Sequence, residues 1–179
     1  MVEAVHRFPE RSRNSVQQAT LCFLIDGEKV LLAMKKRGFG VDLWNGAGGK
    51  IHNREGVRAA ALREVHEELG IHATDVERVG LIHFYFPQDP AKEGWNQDVH
   101  VFLVRKWTGK PVETEEMAPR WFNRTQLKYL PMWADDKYWL QRVLDGEMLE
   151  GWFSFDDNNE VLDHEIINVE EGGTIPGSR

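Results

Sequence analysis

Residues 49–71 read GKIHNREGVRAAALREVHEELGI, and this stretch decides the fold. Val57, Ala60, Ala61 and Val65 recur at helical spacing, which predicts a helix over about 56–69 with one stripe turned toward a core. Gly70 stands where such a helix stops. Glu64, Glu67 and Glu68 fall at i, i+3 and i+4 of that helix, so at 3.6 residues per turn their carboxylates share one face. Like charges at that spacing repel, and the folded helix needs a counterweight. A divalent cation is the simplest one. Carboxylate oxygens suit hard ions such as Mg²⁺, which keeps several waters and shares its shell with substrate phosphates. Just upstream, Gly46, Gly48 and Gly49 let the backbone approach a phosphate closely. Arg63 keeps its charge at any working pH and can pair bidentately with a carboxylate. For an isolated ExxEE, an acidic surface helix with ordinary salt bridges would be the plainer reading.

The whole stretch resembles the Nudix box, G-x5-E-x7-R-E-U-x-E-E-x-G-U with U aliphatic. Every defined position is matched, by Gly49, Glu55, Arg63, Glu64, Val65, Glu67, Glu68, Gly70 and Ile71. The resemblance, to the Nudix or MutT-like hydrolases, implies an α/β fold: an α/β/α sandwich around a mixed β-sheet, carrying a loop–helix–loop. It implies an enzyme that uses Mg²⁺ or Mn²⁺ to hydrolyse a nucleoside diphosphate linked to another group. It also makes Glu55 the partner of Arg63, bracing the loop against the helix.

Composition agrees with a single globular domain. The chain has 179 residues, of which 41% are hydrophobic and 28% charged. No apolar run approaches the length that crosses a membrane. A net charge of −7 argues against a general nucleic-acid-binding surface and suits an acidic site that admits polyphosphate with its cation. Cys22 is the only cysteine; set in TLCFLI it reads as a core thiol, and the expected compartment is the cytoplasm. Residues 1–18 are polar, carry Arg7, Arg11 and Arg13, and lack the apolar core of a secretory signal. Glu3 and Glu10 count against a mitochondrial presequence. The expected organisation is a flexible extension over 1–18, the hydrolase domain over 19–170 and a flexible tail over 171–179.

Residues 19–26 and 28–35 are apolar strand candidates around a turn at Gly27, and 76–86 and 98–107 form a second strand pair. The intervening PQDPAKEGWNQ is rich in turn formers. Residues 119–124 predict a short strand, and 148–156 with 161–169 a hairpin around Asn158 and Asn159. Residues 135–144 predict a second helix, with Asp135 as its capping acid.

The box identifies phosphate chemistry but not the base. MKKRGFG (34–40), LWNGAGGK (43–50), DVHVF (98–102), EMAPRWF (116–122) and PMWADDKYW (131–139) extend the resemblance over roughly 19–169. They resemble the mammalian MutT-homologue branch, the oxidised-purine nucleoside triphosphate diphosphatases. That resemblance implies that Asn45, Asp135 and Asp136 read the purine edge and that Trp133 stacks on the base. Phe39 and Phe84 would line the pocket, with Thr20 and Lys35 near the nucleoside. The physics is sound: an indole face supplies on the order of 1–3 kcal/mol per stacked base. Adjacent aspartates in an apolar pocket titrate as a coupled pair favouring uptake of one proton. Read without the resemblance, the two aspartates are a helix cap and surface charge, Trp133 is core and Asn45 is a turn residue. Ala47, Gln97 and Ala134 depart from the branch, which has phenylalanine, methionine and proline there. The first two are expected to enlarge the pocket or make it more polar.

The implied reaction is water attack on the triphosphate, at the β-phosphorus, releasing nucleoside monophosphate and pyrophosphate. The metal set would be Glu64, Glu67, Glu68, Glu116 and the carbonyl of Gly48 or Gly49. Glu67 is the first choice as general base and Glu116 the second. His66 and His52 are expected off the site. The expected substrates are 8-oxo-dGTP and 2-hydroxy-dATP, handled by a monomer with no stable nucleic-acid or membrane partner. Two alternatives stay open: a hydrolase of ordinary, methylated or deaminated purine nucleotides or of a dinucleotide, and a silent nucleotide-binding module. The intact carboxylate set argues against the module.

Overall fold

The computed structural model describes Phe8 and residues 16–87, 90–170 and 173–176. Eight strands build one mixed sheet: β1 Gln17–Asp26, β2 Lys29–Lys35, β3 Trp44–Asn45, β4 His72–Tyr85, β5 Gln97–Thr108, β6 Met117–Asn123, β7 Leu149–Phe155 and β8 Val161–Asn168. The order is β3-β2-β1-β5-β4-β7-β8, with β6 also paired to β2. The β1–β5 and β4–β7 pairs are parallel and the others antiparallel. Helix α1 (Val57–Leu69) covers one face and α2 (Asp136–Leu144) the other, which is the expected α/β/α sandwich.

Period-two alternation sorts the side chains between the two cores. Phe23, Ile25, Val30 and Leu32 pack with Trp139, Leu140 and Val143 of α2. Cys22, Leu24, Leu31 and Ala33 pack with Ala61, Val65 and Leu69 of α1. Because helices cover both faces, the central strands are apolar almost without break. Each buried Leu, Ile or Val contributes about 1.5–3 kcal/mol. Cys22 is the core thiol its setting predicts; burial, then the charges of Glu68 and Glu64, push its pKa far up and leave it unreactive.

Beyond α1 the sheet face carries a buried polar stitch. His83 on β4 lies 2.6 Å from Asp98 Oδ1 on β5 and 2.9 Å from Glu150 Oε1 on β7, and Gln18 of β1 donates to Asp98 Oδ2 at 3.0 Å. Burial lowers the His83 pKa, but the two carboxylates outweigh it and the net shift is upward.

Several elements differ from expectation for physical reasons. α1 ends at Gly70, whose φ of 70° suits glycine and whose N–H returns to His66 O. β4 then starts at His72, four residues early, because the helix passes directly into the strand. β3, a 3₁₀ turn over Pro90–Trp95 and another over Arg124–Tyr129 have no periodic signal; the last is held by an Asn123–Gln126 capping box. Asp135 stands at the N-cap but makes no side-chain cap bond. Most of the expected N-terminal extension lies outside the described residues, although β1 already begins at Gln17. In the expected tail, Ile175 is buried and the Pro176 carbonyl accepts from Arg78 Nη2 at 2.6 Å. No helix among the described residues is long and apolar enough to cross a membrane.

Candidate active site

The loop between β2 and α1 builds the site. At Ala33 and Met34 the loop pairs with β2 through β3, and after Gly46 it turns to pair with β1 at Cys22–Ala47 and Ala19–Lys50. Thr20 N donates to Gly49 O at 2.9 Å and Ile51 N to Gln18 O at 2.9 Å. The glycines are demanded by protein neighbours. A Cβ on Gly48 would stand 2.0 Å from Thr20 O, and one on Gly49 would stand 2.6 Å from a Glu64 carboxylate oxygen. Packing against β1 and α1 is thus sufficient reason for glycine at both positions.

One cavity beside this loop is lined by Arg37, Glu64, Glu67, Glu68, Thr114, Glu115 and Glu116. The three α1 carboxylates do not sit equally on one face: the Glu64 side chain is 12% exposed and that of Glu67 55%, while Glu68 is buried. Arg63 supplies part of the counterweight. Its Nη1 meets Glu64 at 2.7 Å and Glu67 at 3.0 Å. Its Nε and Nη2 grip Glu55 at 2.8 and 3.0 Å, and Nη2 also reaches Lys50 O. The guanidinium, with the His52 amide, holds Glu55 down to about 2. Glu68 accepts from Gly48 N at 2.9 Å, yet burial raises its pKa to about 7, with the Glu64 and Glu116 charges adding to the rise. Glu116 meets Arg37 at 3.0 Å.

Among the described residues, no three acidic, histidine or cysteine side chains already converge as a preformed metal cage. The donor set is all hard oxygen with charge in excess, which fits a divalent cation that completes its shell with water and phosphate. His66 is exposed and stacks on His72 with ring centroids 4.3 Å apart; His52 is also exposed.

The second cavity holds all eight residues expected to contact the nucleoside: Thr20, Lys35, Phe39, Asn45, Phe84, Trp133, Asp135 and Asp136. Gly48 and Gly49 line it as well, and they connect it to the acidic cavity: Gly48 N bonds Glu68, and Gly49 packs against Glu64. Asn45 Oδ1 accepts from Gly46 N at 2.8 Å, which leaves its amide N–H groups for the cavity. Phe39 lies between Trp133, centroids 4.8 Å apart, and Trp95 at 4.4 Å. Asp135 Oδ2 accepts from Trp139 Nε1 at 2.7 Å, and Asp136 Oδ2 from Trp133 N at 3.1 Å. Burial raises both carboxyls, and the Asp135 charge raises Asp136 further. Thr20 Oγ1 is buried with no partner among the described residues.

Arg37, Thr114, Glu115, Lys50, Phe86, Met117 and Trp139 also line the two cavities and were not foreseen. Two had a readable signal: Trp139 is i+4 from Asp135, and Arg37 is two residues past Lys35. Ala47 corrects the expected pocket. It is buried between β1 and α1 and does not line the cleft, so only Gln97 of the two departures bears on it.

The NUDIX domain model matches residues 16–143. The chain belongs to the Nudix family. This Nudix chain is 37% identical over 152 residues to the oxidized purine nucleoside triphosphate hydrolase of Danio rerio, covering 85% of this chain and 95% of that protein. It is 38% identical over 151 residues to the protein of the same name from Mus musculus, covering 84% and 94%. Among solved structures, the mutator MutT protein from Bacillus halodurans superposes with a TM-score of 0.74 at 27% identity, covering 84% of this chain and 97% of that one. Nudix hydrolases act with a divalent metal, which accords with the acidic cavity.

Proposed function

We propose that this Nudix enzyme hydrolyses oxidised purine nucleoside triphosphates, 8-oxo-dGTP and 2-hydroxy-dATP, to the monophosphate and pyrophosphate, clearing them from the nucleotide pool. One observation carries the reading: a polar and aromatic cleft fitted to a purine lies beside an acidic cavity fitted to a cation, linked by the bond from Gly48, which lines the cleft, to Glu68, which lines the acidic cavity. The similarity to two hydrolases named for that substrate supports the choice of base.

In this reading Trp133 stacks on the base and Asn45 donates to an acceptor on its edge. Burial and the charge of Asp135 on Asp136 favour one proton on the pair, so it offers one donor and one acceptor, in an arrangement that depends on which aspartate holds the proton. That ambivalence suits two different oxidised bases. Mg²⁺, with Mn²⁺ as substitute, would be held by Glu64, Glu67, Glu68, Glu116 and the Gly48 carbonyl, and would supply neutralisation of polyphosphate charge. The Gly49 carbonyl accepts from Thr20 N and retains a second lone pair, so it is the alternative ligand. Glu67 is well exposed at the cavity and accepts the proton of the attacking water; Glu116 is the second candidate. Arg63 and Glu55 hold the loop in place. A cytoplasmic monomer without nucleic-acid or membrane partners completes the reading, in keeping with the net charge of −7.

The test is a kcat/KM ranking of oxidised, methylated and ordinary purine triphosphates with Mg²⁺, with products separated by anion exchange. Oxidised purines should lead and yield pyrophosphate. Release of inorganic phosphate alone, or a ranking led by unmodified nucleotides, would contradict it.

A further inference from the structure

We infer that Gln97 is a base-reading, specificity-determining residue of the purine cleft, an inference that rests on the function proposed above. Gln97 opens β5, pairs with Phe84 of β4 and Gln17 of β1, and lines the cleft. The neighbours that β4 and β5 contribute to that wall, Phe84 and Val99, are apolar.

The chain on both sides of Gln97 is pinned. Asn96 Oδ1 accepts from Phe86 N at 2.8 Å, and Asp98 bonds to His83 at 2.6 Å and to Gln18 at 3.0 Å. Between these two fixed points the Gln97 side-chain amide makes no hydrogen bond with any described residue. A primary amide placed against an apolar wall is costly to desolvate unless something in the cleft answers it. A held backbone with an uncommitted side-chain amide suits a residue that reads a base.

The chemistry says what kind of ligand. Asn45 is locked as a donor by its bond to Gly46, whereas Gln97 can turn either its carbonyl or its N–H₂ toward the cleft. Glutamine pairs with a base edge that offers a donor and an acceptor side by side, as the amino group and ring nitrogen of adenine do. Gln97 therefore recognises purines bearing exocyclic amino or oxo groups, of adenine or guanine type. It contributes little toward a purine without such groups.

The experiment compares wild type, Gln97→Met and Gln97→Glu on 8-oxo-dGTP, 2-hydroxy-dATP and the triphosphate of unsubstituted purine deoxyriboside. Methionine keeps the length and removes both hydrogen-bonding functions; glutamate keeps the shape and removes the N–H₂. For Gln97→Met, KM on the two oxidised substrates should rise roughly 3- to 10-fold with kcat little changed, as the loss of a neutral hydrogen bond predicts. KM on unsubstituted purine should move less than about twofold on the same scale. Gln97→Glu should change the ratio between the two oxidised substrates. Calorimetric binding of 8-oxo-dGMP repeats the comparison without turnover. Equal shifts on all three substrates would reduce Gln97 to packing and overturn the inference while the proposed function stands. A wild type inactive on every purine triphosphate would overturn both.

Discussion

Asp135 and Asp136 are adjacent carboxyls that have each given one oxygen to an indole or backbone N–H and lost almost all contact with solvent, at 2% and 6% exposure. Both hold protons more tightly folded than unfolded. The sign of the stability effect follows. Below about pH 3.9 folded and unfolded forms are both protonated and there is no penalty. Through the window up to the raised folded pKa, the unfolded chain ionises first and stability falls by about 1.4 kcal/mol per unit for one such group. Asp136→Asn keeps an acceptor for Trp133 N and removes the ionisation. Its melting temperature should exceed that of the wild type at pH 8, and the gap should close toward pH 4; a gap independent of pH would exclude buried ionisation as its cause. Loss of one ionisable member of the pair should also change the ranking of 8-oxo-dGTP against 2-hydroxy-dATP. From the sequence, Asp135 was as readable as a helix cap as a base reader, because capping is a local pattern and burial is not. Ala47 misleads in the same way. It is next to the glycine pair in sequence, yet strand pairing turns it to the opposite side of the sheet.

Helix α1 was legible almost to the residue, 56–69 expected and Val57–Leu69 found, since its apolar stripe and its stop at Gly70 are local signals. The segment before it was not. Residues 44–50 take their course from contacts with β1 and β2, and no periodicity announces a strand of two residues. What joins helix to loop is Arg63, which contacts Glu55, the Lys50 carbonyl, Glu64 and Glu67 at once. The planar fork is the point, because a lysine ammonium keeps the charge without the bidentate geometry. Arg63→Lys should free the loop while leaving the helix folded. Amide exchange at His52, whose N–H donates to Glu55 Oε2, should accelerate, and kcat/KM should fall roughly tenfold or more, the loss of one to two charge-assisted bonds. Native exchange at His52 together with full activity would show that the brace is dispensable.

In the proposed function, recognition and cutting fall to two neighbouring cavities linked by the Gly48–Glu68 bond. Trp133 belongs to the α2 side of the purine cleft and touches Phe39 and Gly40; Glu67 belongs to α1 and touches Arg63. Among the described residues no hydrogen bond or ring contact joins these two to a common partner, and Gly48 and Gly49 pack directly on β1 and Glu64. One polar link between the cavities, the bond from Gly48 N to Glu68, involves neither; the other runs from Glu67 through Arg63 to the Lys50 carbonyl and does not reach Trp133. Trp133→Ala should raise KM through the loss of a stacking surface, on the order of 1–3 kcal/mol. Glu67→Gln should lower kcat by roughly a hundredfold or more and leave nucleotide affinity near that of the wild type. Sites without shared partners combine additively to within about 0.5 kcal/mol. The double variant's fold-loss in kcat/KM should therefore equal the product of the two single fold-losses. A double-variant loss markedly smaller than that product would mean that stacking positions the phosphates for attack, so that the cavities work as one site.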